Sequence, residues 1–403
     1  MDLYTLTDQF LSNQVIDEFV SAIWTERYFG TGDVQLVVPA TSENIEKLVP
    51  GTFLALRGTK EVMLLETQNI EDGLMTVVGN TLLGFLNNRM VWFKNPEYSS
   101  ESSPAKIVDY TLPLPNTAPT LTPGQFISHV VEKMVIAPVA YPVGTFFDVN
   151  LDWPFEDIDK LELGPIDTSG TPKRLTIPTG PLYEGIAQIA VKEGVGISLY
   201  LDSATIETGY VLKFITYQGK DHTTGSAFPL VRLSPDMDTL SDLKEIRSNA
   251  NYKNVVYVYY QNKLSIHYAE PTLPKPEGFE RRVLVTDAEG EPVGRKITGG
   301  RPGMASIYGW TTYVVGAAEI AAFLEQNAKD ALANHNYIRA IDGQTSPAGD
   351  YKFGVDYGLG DVIELQGLTG LISKARVTEY IRSQDKSGER EYPTISVIGG
   401  DNA

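Results

Sequence analysis

The sequence predicts an α+β protein, mainly β, made of several small domains that include two tube-like β-barrels with flanking helices. Strand-like runs separated by Gly-marked turns stand near both ends of the chain. Amphipathic helical stripes fall between and beside those runs. A chain of 403 residues is also too long for one ordinary core, and its 42% apolar and 21% charged residues are those of a folded globular protein.

Residues 34 to 79 read as four strands, "DVQLVV", "GTFLALRG", "EVMLLETQNI" and "LMTVVG", with turns at Gly58 to Lys60 and at Glu71 to Gly73. A helix is expected next, with Asn80 as N-cap and Leu82, Leu83, Leu86 and Met90 on one side. Residues 96–122 are rich in Ser, Pro and Thr, the composition of an extended arm. Thr122 and Gln125 then have capping-box spacing with Pro123 at the first helical position, and Ile127, Val130, Val131 and Met134 supply the apolar stripe.

In the middle third, "PLYEGIAQIAVKEG" predicts a helix started by Pro181 and stopped near Gly194, followed by the strands "GISLYLDS" and "YVLKFITYQ". "NVVYVYYQ" is apolar at alternating positions of both parities, which predicts a strand covered on both sides, by its own core or by a neighbouring subunit. Residues 316–335 give the clearest helical stripe, through Ile320, Phe323, Leu324, Ala328 and Ala331, with Glu325 four residues before Lys329. The chain closes in a meander over 356–400. These boundaries predict a barrel domain with its helix at 1–95, the arm at 96–122, inserted mixed α/β material at 123–245 and a second barrel domain at 246–403.

The two ends share a pattern. "GTFLALRG", bounded by Gly51 and Gly58, matches "GDVIELQG", bounded by Gly360 and Gly367. Each is followed by a strand carrying a Glu, Glu66 or Glu379, then a turn with Gly73 or Gly388, then a strand ending "VVG" or "VIGG". Two explanations fit: chance similarity between Gly-turned meanders, or two related small barrels. Barrel edges completed by neighbouring copies would let three subunits form a ring of six similar units. Gly360 and Asp361 are the leading structural candidates, because a Gly before a paired strand can take a backbone angle that side chains resist.

The absence of Cys excludes disulfides, thiolate metal sites and cysteine nucleophiles. With 51 acidic and 33 basic residues the net charge is −18, the wrong sign for gripping nucleic acid. The N-terminus lacks the pattern of a secretory signal, and the longest apolar window carries Asn80, Asn87, Asn88 and Arg89, which are costly in a bilayer, so neither export nor stable membrane insertion is expected. His129, His222, His267 and His335 form no close metal-binding pair. "GRKITGGRPG" lacks the ending of a phosphate loop and reads as a flexible loop. The clusters Asp152, Glu156, Asp157, Asp159 and Asp236, Asp238, Asp242 lack calcium-loop spacing, so no cofactor or metal is expected.

The residues "NYKNVVYVYYQ", the Ala-rich helix and "YKFGVDYGLGDVIELQG…SKARVTEYIRS…YPTISVIGG", with Tyr357 leading into the Gly360–Asp361 turn, resemble the Gp37-like tail hub proteins of long-tailed bacteriophages. "VVGNTLLGFLNNRMVW", with Leu86 and Arg89, adds to the likeness at the N-terminal side. The resemblance implies a homotrimeric hub at the tail tip that continues the sixfold tube and adapts it to threefold symmetry. Its partners would be the distal tail protein and tail tube above and a central spike or fibre below, with genomic DNA passing through the lumen unbound. It further implies a protein that resides in the virion. A tail-associated cell-wall hydrolase and a glycan-binding adhesin remain the alternatives; no catalytic motif marks the former, and 21 Tyr and 4 Trp favour the latter.

Overall fold

The computed structural model describes residues 1–91, 93–94, 107–108, 110–112, 120–137, 158, 160–202, 211–288, 292, 295–299, 310–333, 335, 338–345, 351–367 and 369–398. The chain opens with β1 (Leu3–Leu6), β2 (Ser12–Ile16), β3 (Ser21–Arg27) and β4 (Asp33–Pro39). Helix α1 (Ser42–Lys47) follows, and then β5 (Phe53–Leu56), β6 (Val62–Glu71) and β7 (Leu74–Thr81). They form one antiparallel run in the order β3-β4-β7-β6-β5-β1-β2. Thr41 caps α1 by accepting the Asn44 N–H at 3.2 Å. Alternation sends Trp24, Leu36, Leu54, Met63 and Met75 to one face, where all are fully buried, each contributing roughly 1.5–3 kcal/mol by leaving water. Strands β1–β3 are not among the elements expected from sequence. β2 is exposed at four of five positions, and β3 turns the polar Glu26 inward alongside Trp24, so neither shows apolar alternation.

The helix expected after Asn80 is shorter than its pattern. Asn80 stays in β7 opposite Asp33, and its side-chain amide donates to Glu66 at 2.8 Å instead of capping. Helix α2 covers only Leu82–Phe85, a 3₁₀ turn spans Leu86–Asn88, and Met90 belongs to β8 (Met90–Val91). Most of the expected arm lies outside the described residues. Its described parts are β10 (Ile107–Val108), paired with β9 (Phe93–Lys94), and β11 (Tyr110–Leu112), paired with β13 (Leu175–Ile177). Helix α3 (Pro123–Val131) carries the expected capping box, with both Thr122–Gln125 hydrogen bonds made. The middle layer continues with β12 (Leu161–Leu163), β14 (Gly180–Pro181), α4 (Leu182–Glu193), β15 (Gly196–Asp202) and β16 (Val211–Tyr217). Gly194 ends α4 at φ +70°, a left-handed angle that suits Gly. α3 and α4 pack Phe126, Ile127, Val130, Ile186 and Ala190 against β15 and β16 and against Leu82, Leu83 and Leu86.

The C-terminal part begins with β17 (Arg232–Leu233) and β18 (Leu240–Ser248), which runs through the expected boundary at 245/246. A pendant segment follows: the three-stranded sheet of β19 (Val255–Tyr260), β20 (Lys263–Tyr268) and β21 (Val283–Asp287), the hairpin β22 (Arg295–Gly299) and β23 (Trp310–Val314), and α5 (Ala317–Ala333). "GRKITGGRPG", expected as a loop, is strand in its first half. α5 covers one face of β19 through Val256 and Val258, as its stripe predicts, and Glu325 pairs with Lys329 at 2.8 Å. On the other face of that sheet Val255 is buried, whereas Tyr259, Leu264, Ile266 and Val285 are exposed, so among the described residues the chain's own core covers one face of β19 and reaches the other fully only at Val255. The chain returns in β24 (Ile338–Thr345), which pairs with β18, and ends in β25 (Val362–Gln366), β26 (Ile372–Asp385) and β27 (Gly388–Val397).

The repeat read from sequence is present in the backbone. The Gly51 N–H donates to the Leu65 carbonyl (2.7 Å) and Leu65 N–H to Thr52 (2.9 Å); Gly360 N–H donates to Val377 (2.8 Å) and Val377 N–H to Asp361 (2.9 Å). Both glycines have positive φ, +95° and +85°. Each meander bulges after this point, between Leu65 and Thr67 and between Val377 and Glu379, and each ends in a two-residue hairpin. Two details differ from the sequence match. Glu66 corresponds to Thr378, one residue before Glu379, and Gly79 to Ile395, because the bulged residue shifts the register. Among the described residues neither meander closes into a barrel. They are joined instead: β3 pairs antiparallel with β26 from Arg27↔Glu379 to Ala22↔Gln384, and β17 adds in parallel to β25, giving a sheet of eleven strands.

Candidate functional site

The joint between β3 and β26 is where the two ends of the chain and the middle layer meet. Tyr28, just past β3, is fully buried and donates its N–H to the bulged Thr378 carbonyl at 2.9 Å. Its hydroxyl donates to the Gly194 or Tyr217 carbonyl, 3.1 and 3.2 Å away, and accepts from the Gly219 N–H and from Arg376 Nη1. Arg376 lies over the Tyr28 ring and also donates to the Gly360 carbonyl at 2.8 Å. Burial raises the Tyr28 pKa, against the lowering influence of Arg376, so the phenol stays protonated.

Glycines make this contact possible. A Cβ at Gly360 or at Gly196 would stand 2.2 Å from Tyr28 Cε2, and one at Gly219 would stand 1.9 Å from the Gly360 carbonyl group. Asp361 ties the same corner together: Oδ1 accepts the Lys220 N–H (2.6 Å), Oδ2 accepts the Gly358 N–H (2.7 Å), and His222 Nε2 lies 3.3 Å from Oδ2.

Charged pairs line the joint. Arg27 Nε donates to Glu379 at 2.6 Å, and its Nη1 binds Asp33 and the Thr31 carbonyl. Burial disfavours its charge, yet Glu379 and Asp33 outweigh that and raise the Arg27 pKa. Arg382 meets Glu26 at 3.2 Å and Glu391 at 3.4 Å and lies over the Tyr380 ring, which stacks on Phe353. Glu61 reaches into this group, accepting from Ser198 Oγ at 3.1 Å while its Oε2 has no hydrogen-bond partner among the described residues. Burial and then the neighbouring Glu26 push the Glu61 carboxyl up to about 8, so it holds its proton at neutral pH.

The residues singled out from sequence fall in different places. Gly360, Asp361 and Glu379 converge on the joint. Tyr357 lies behind it in the C-terminal core, edge-on to Phe353, with burial and then Asp356 pushing its phenol up to about 12. Gly51 and Gly58 shape the ends of β5, and Gly367 accepts from the Gly370 N–H while donating to Leu371. Arg89 is not brought to the joint: it is half-buried, packs over Phe85, and its carbonyl accepts the Leu182 N–H at the start of α4. Tyr28, Arg376, Gly196 and Gly219 were not singled out from sequence; the one local sign is the aromatic pair and two glycines of "YFGTG" directly after β3. An open cleft of about 970 Å³ flanks the joint, lined by Arg27, Tyr183, Lys173, Glu193 and Glu379.

Of the remaining sequence candidates, Asp152, Glu156, Asp157 and Asp159 lie outside the described residues. Among the described residues no three His, Asp or Glu side chains converge as a cation site, and no helix is long and apolar enough to cross a membrane. His129 stands in the last turn of α3, half-buried with Nε2 2.8 Å from the Tyr110 hydroxyl, and burial lowers its pKa.

The whole architecture is shared with prophage tail proteins. The 43 kDa tail protein of prophage MuSo2 from Shewanella oneidensis matches with a TM-score of 0.54 at 12% identity, over 99% of this chain and 98% of that one. Tail protein gp18 from a Listeria monocytogenes EGD-e prophage matches with a TM-score of 0.50 at 11% identity, over 100% and 96%. At such identities the likeness is one of fold. The sequence narrows the class: residues 2–396 match the family model of the Siphovirus ReqiPepy6 Gp37-like proteins, and the chain belongs to that family. No curated protein matches the sequence. Family and fold together place it among the structural proteins of phage tails.

Proposed function

We propose that this chain is the tail-tip hub: three copies form a ring that continues the tail tube, and the genome passes through its lumen during infection. The observation that carries the reading is the edge-to-edge joining, within one chain, of two meanders with the same hydrogen-bond pattern. Three such chains supply six similar units, the number a sixfold tube requires, while the non-repeated middle layer and pendant segment supply threefold surfaces for a spike or fibre. The distal tail protein and tube dock above. The role is structural, with no catalysis of its own, and the protein resides in the virion. A net charge of −18 favours a wall that DNA slides past without sticking.

Light scattering on the purified full-length protein tests the assembly. A mass of three chains, alone or on addition of the tail partner, is the expected result; a stable dimer contradicts it. Phage carrying a deletion of residues 356–403 should yield no tails containing the protein, and normal tails from that deletion would refute the hub role.

A further inference from the structure

The two copies of the repeat differ in how their longest strand is used. Along one edge β26 pairs with β27 from Ala375 to Asp385; along the other it pairs with β25 up to Arg376 and then, past the bulge, with β3. β6 begins the same way, with β7 along one edge and β5 along the other as far as Leu64. Past its bulge, the edge of Thr67–Glu71 carries no strand among the described residues. Thr67, Asn69, Ile70 and Glu71 are exposed, Ile70 by 48%. An open edge of this length next to an apolar side chain is a template for another strand.

The strand that would fill it is identifiable from the same repeat. In the N-terminal unit β4 lies beside β7 and pairs with β3, whose far edge takes β26. In the C-terminal unit β24 lies alongside β27 and pairs with β18, which makes β18 the counterpart of β3. Among the described residues β18 has no strand on its far edge. The chain thus carries one joint complete within itself and the two halves of a second, one at each end.

We infer that β18 of a second copy of this chain adds antiparallel to the Thr67–Glu71 edge of β6, repeating between chains the β3–β26 joint made within each. This rests on the trimeric reading and names the surfaces that build it. The hairpin fixes which groups are involved. Asp72 and Gly73 both have positive φ, so the flanking pair Glu71–Leu74 is the hydrogen-bonded one, and Gln68 and Ile70 turn their N–H and C=O groups to the open edge. They correspond to Tyr380 and Arg382, which face Glu26 and Trp24 across the internal joint.

Two changes to the full-length protein test this. Ile70→Pro removes an outward N–H and leaves the β6–β7 bonds in place, so the variant should keep the wild-type circular dichroism while trimer association weakens about a hundredfold. Because the chain has no Cys, Gln68→Cys combined in turn with a cysteine at each position from Lys244 to Ser248 should give, in one register, a covalent trimer on oxidation. Ile70→Pro trimers of unchanged mass and affinity, with no interchain cross-link at any position, would overturn the edge assignment and leave the trimer standing. A wild-type chain that is monomeric both in solution and in cross-linked particles would overturn both.

Discussion

Gly51 and Gly360 offer a controlled measurement, because the repeat sets them in the same backbone conformation with different surroundings. Replacing Gly51 by Ala puts a side chain at φ +95° with nothing within 4 Å of the new Cβ, so only the left-handed backbone opposes it, at roughly 1–2 kcal/mol. Gly360→Ala meets the same backbone penalty at φ +85° and drives a Cβ to 2.2 Å from the Tyr28 ring, where carbon atoms prefer about 3.5–4.0 Å. Tyr28 has little room to yield, since it is fully buried and Gly196 stands against the same ring edge. Overpacking of this kind costs a further 1–3 kcal/mol or so, giving roughly 2–5 kcal/mol in all. Urea unfolding of the two variants, read by Trp fluorescence at neutral pH, should place the Gly360→Ala midpoint clearly below that of Gly51→Ala. Equal midpoints would refute the claim that Gly360 is needed for the close approach of Tyr28 as well as for its turn.

Tyr28→Phe should keep the ring packing and lose the hydroxyl that joins Gly194, Tyr217, Gly219 and Arg376, lowering unfolding stability by about 1–3 kcal/mol; urea denaturation checks it. Glu61→Gln should change the pH dependence. The Glu61 pKa is raised on folding to about 8, so its contribution is fully present below the unfolded carboxylate value and is lost as pH rises through about 8. The variant should therefore gain stability over wild type at alkaline pH and show a flatter thermal midpoint across that window. A wild-type profile with no fall there would show that Glu61 ionises freely.

What could be read from sequence was what neighbouring residues decide. The Thr122–Gln125 capping box, the Gly194 stop of α4 and the apolar stripe of α5 each depend on a few adjacent positions, and each stands where its pattern puts it. Gly51 and Gly360 were legible because turn glycines before paired strands leave a shared spelling. The joint was not, since Tyr28 meets Gly196, Gly219 and Gly360 only through the tertiary fold, and no periodicity links them. β3 escaped notice because its inward Glu26, partnered by Arg382, breaks the apolar alternation. The bulge explains the false equivalence of Glu66 and Glu379: an inserted residue is invisible until the pairing partners are known. Asn80 shows the opposite failure, a good capping residue kept in a strand by its pairing with Asp33.

In the N-terminal unit β3 turns back into β4 through residues 28–32, whereas in the C-terminal unit everything from 249 to 337 stands between β18 and β24. Its two ends nevertheless leave and rejoin at paired positions, Ser248 opposite Ile338, about 5 Å apart as neighbouring strands require. The fold thus has a socket: an insertion seated at one hairpin tip, which enters and leaves at neighbouring positions and so can differ in length without opening a gap between β18 and β24.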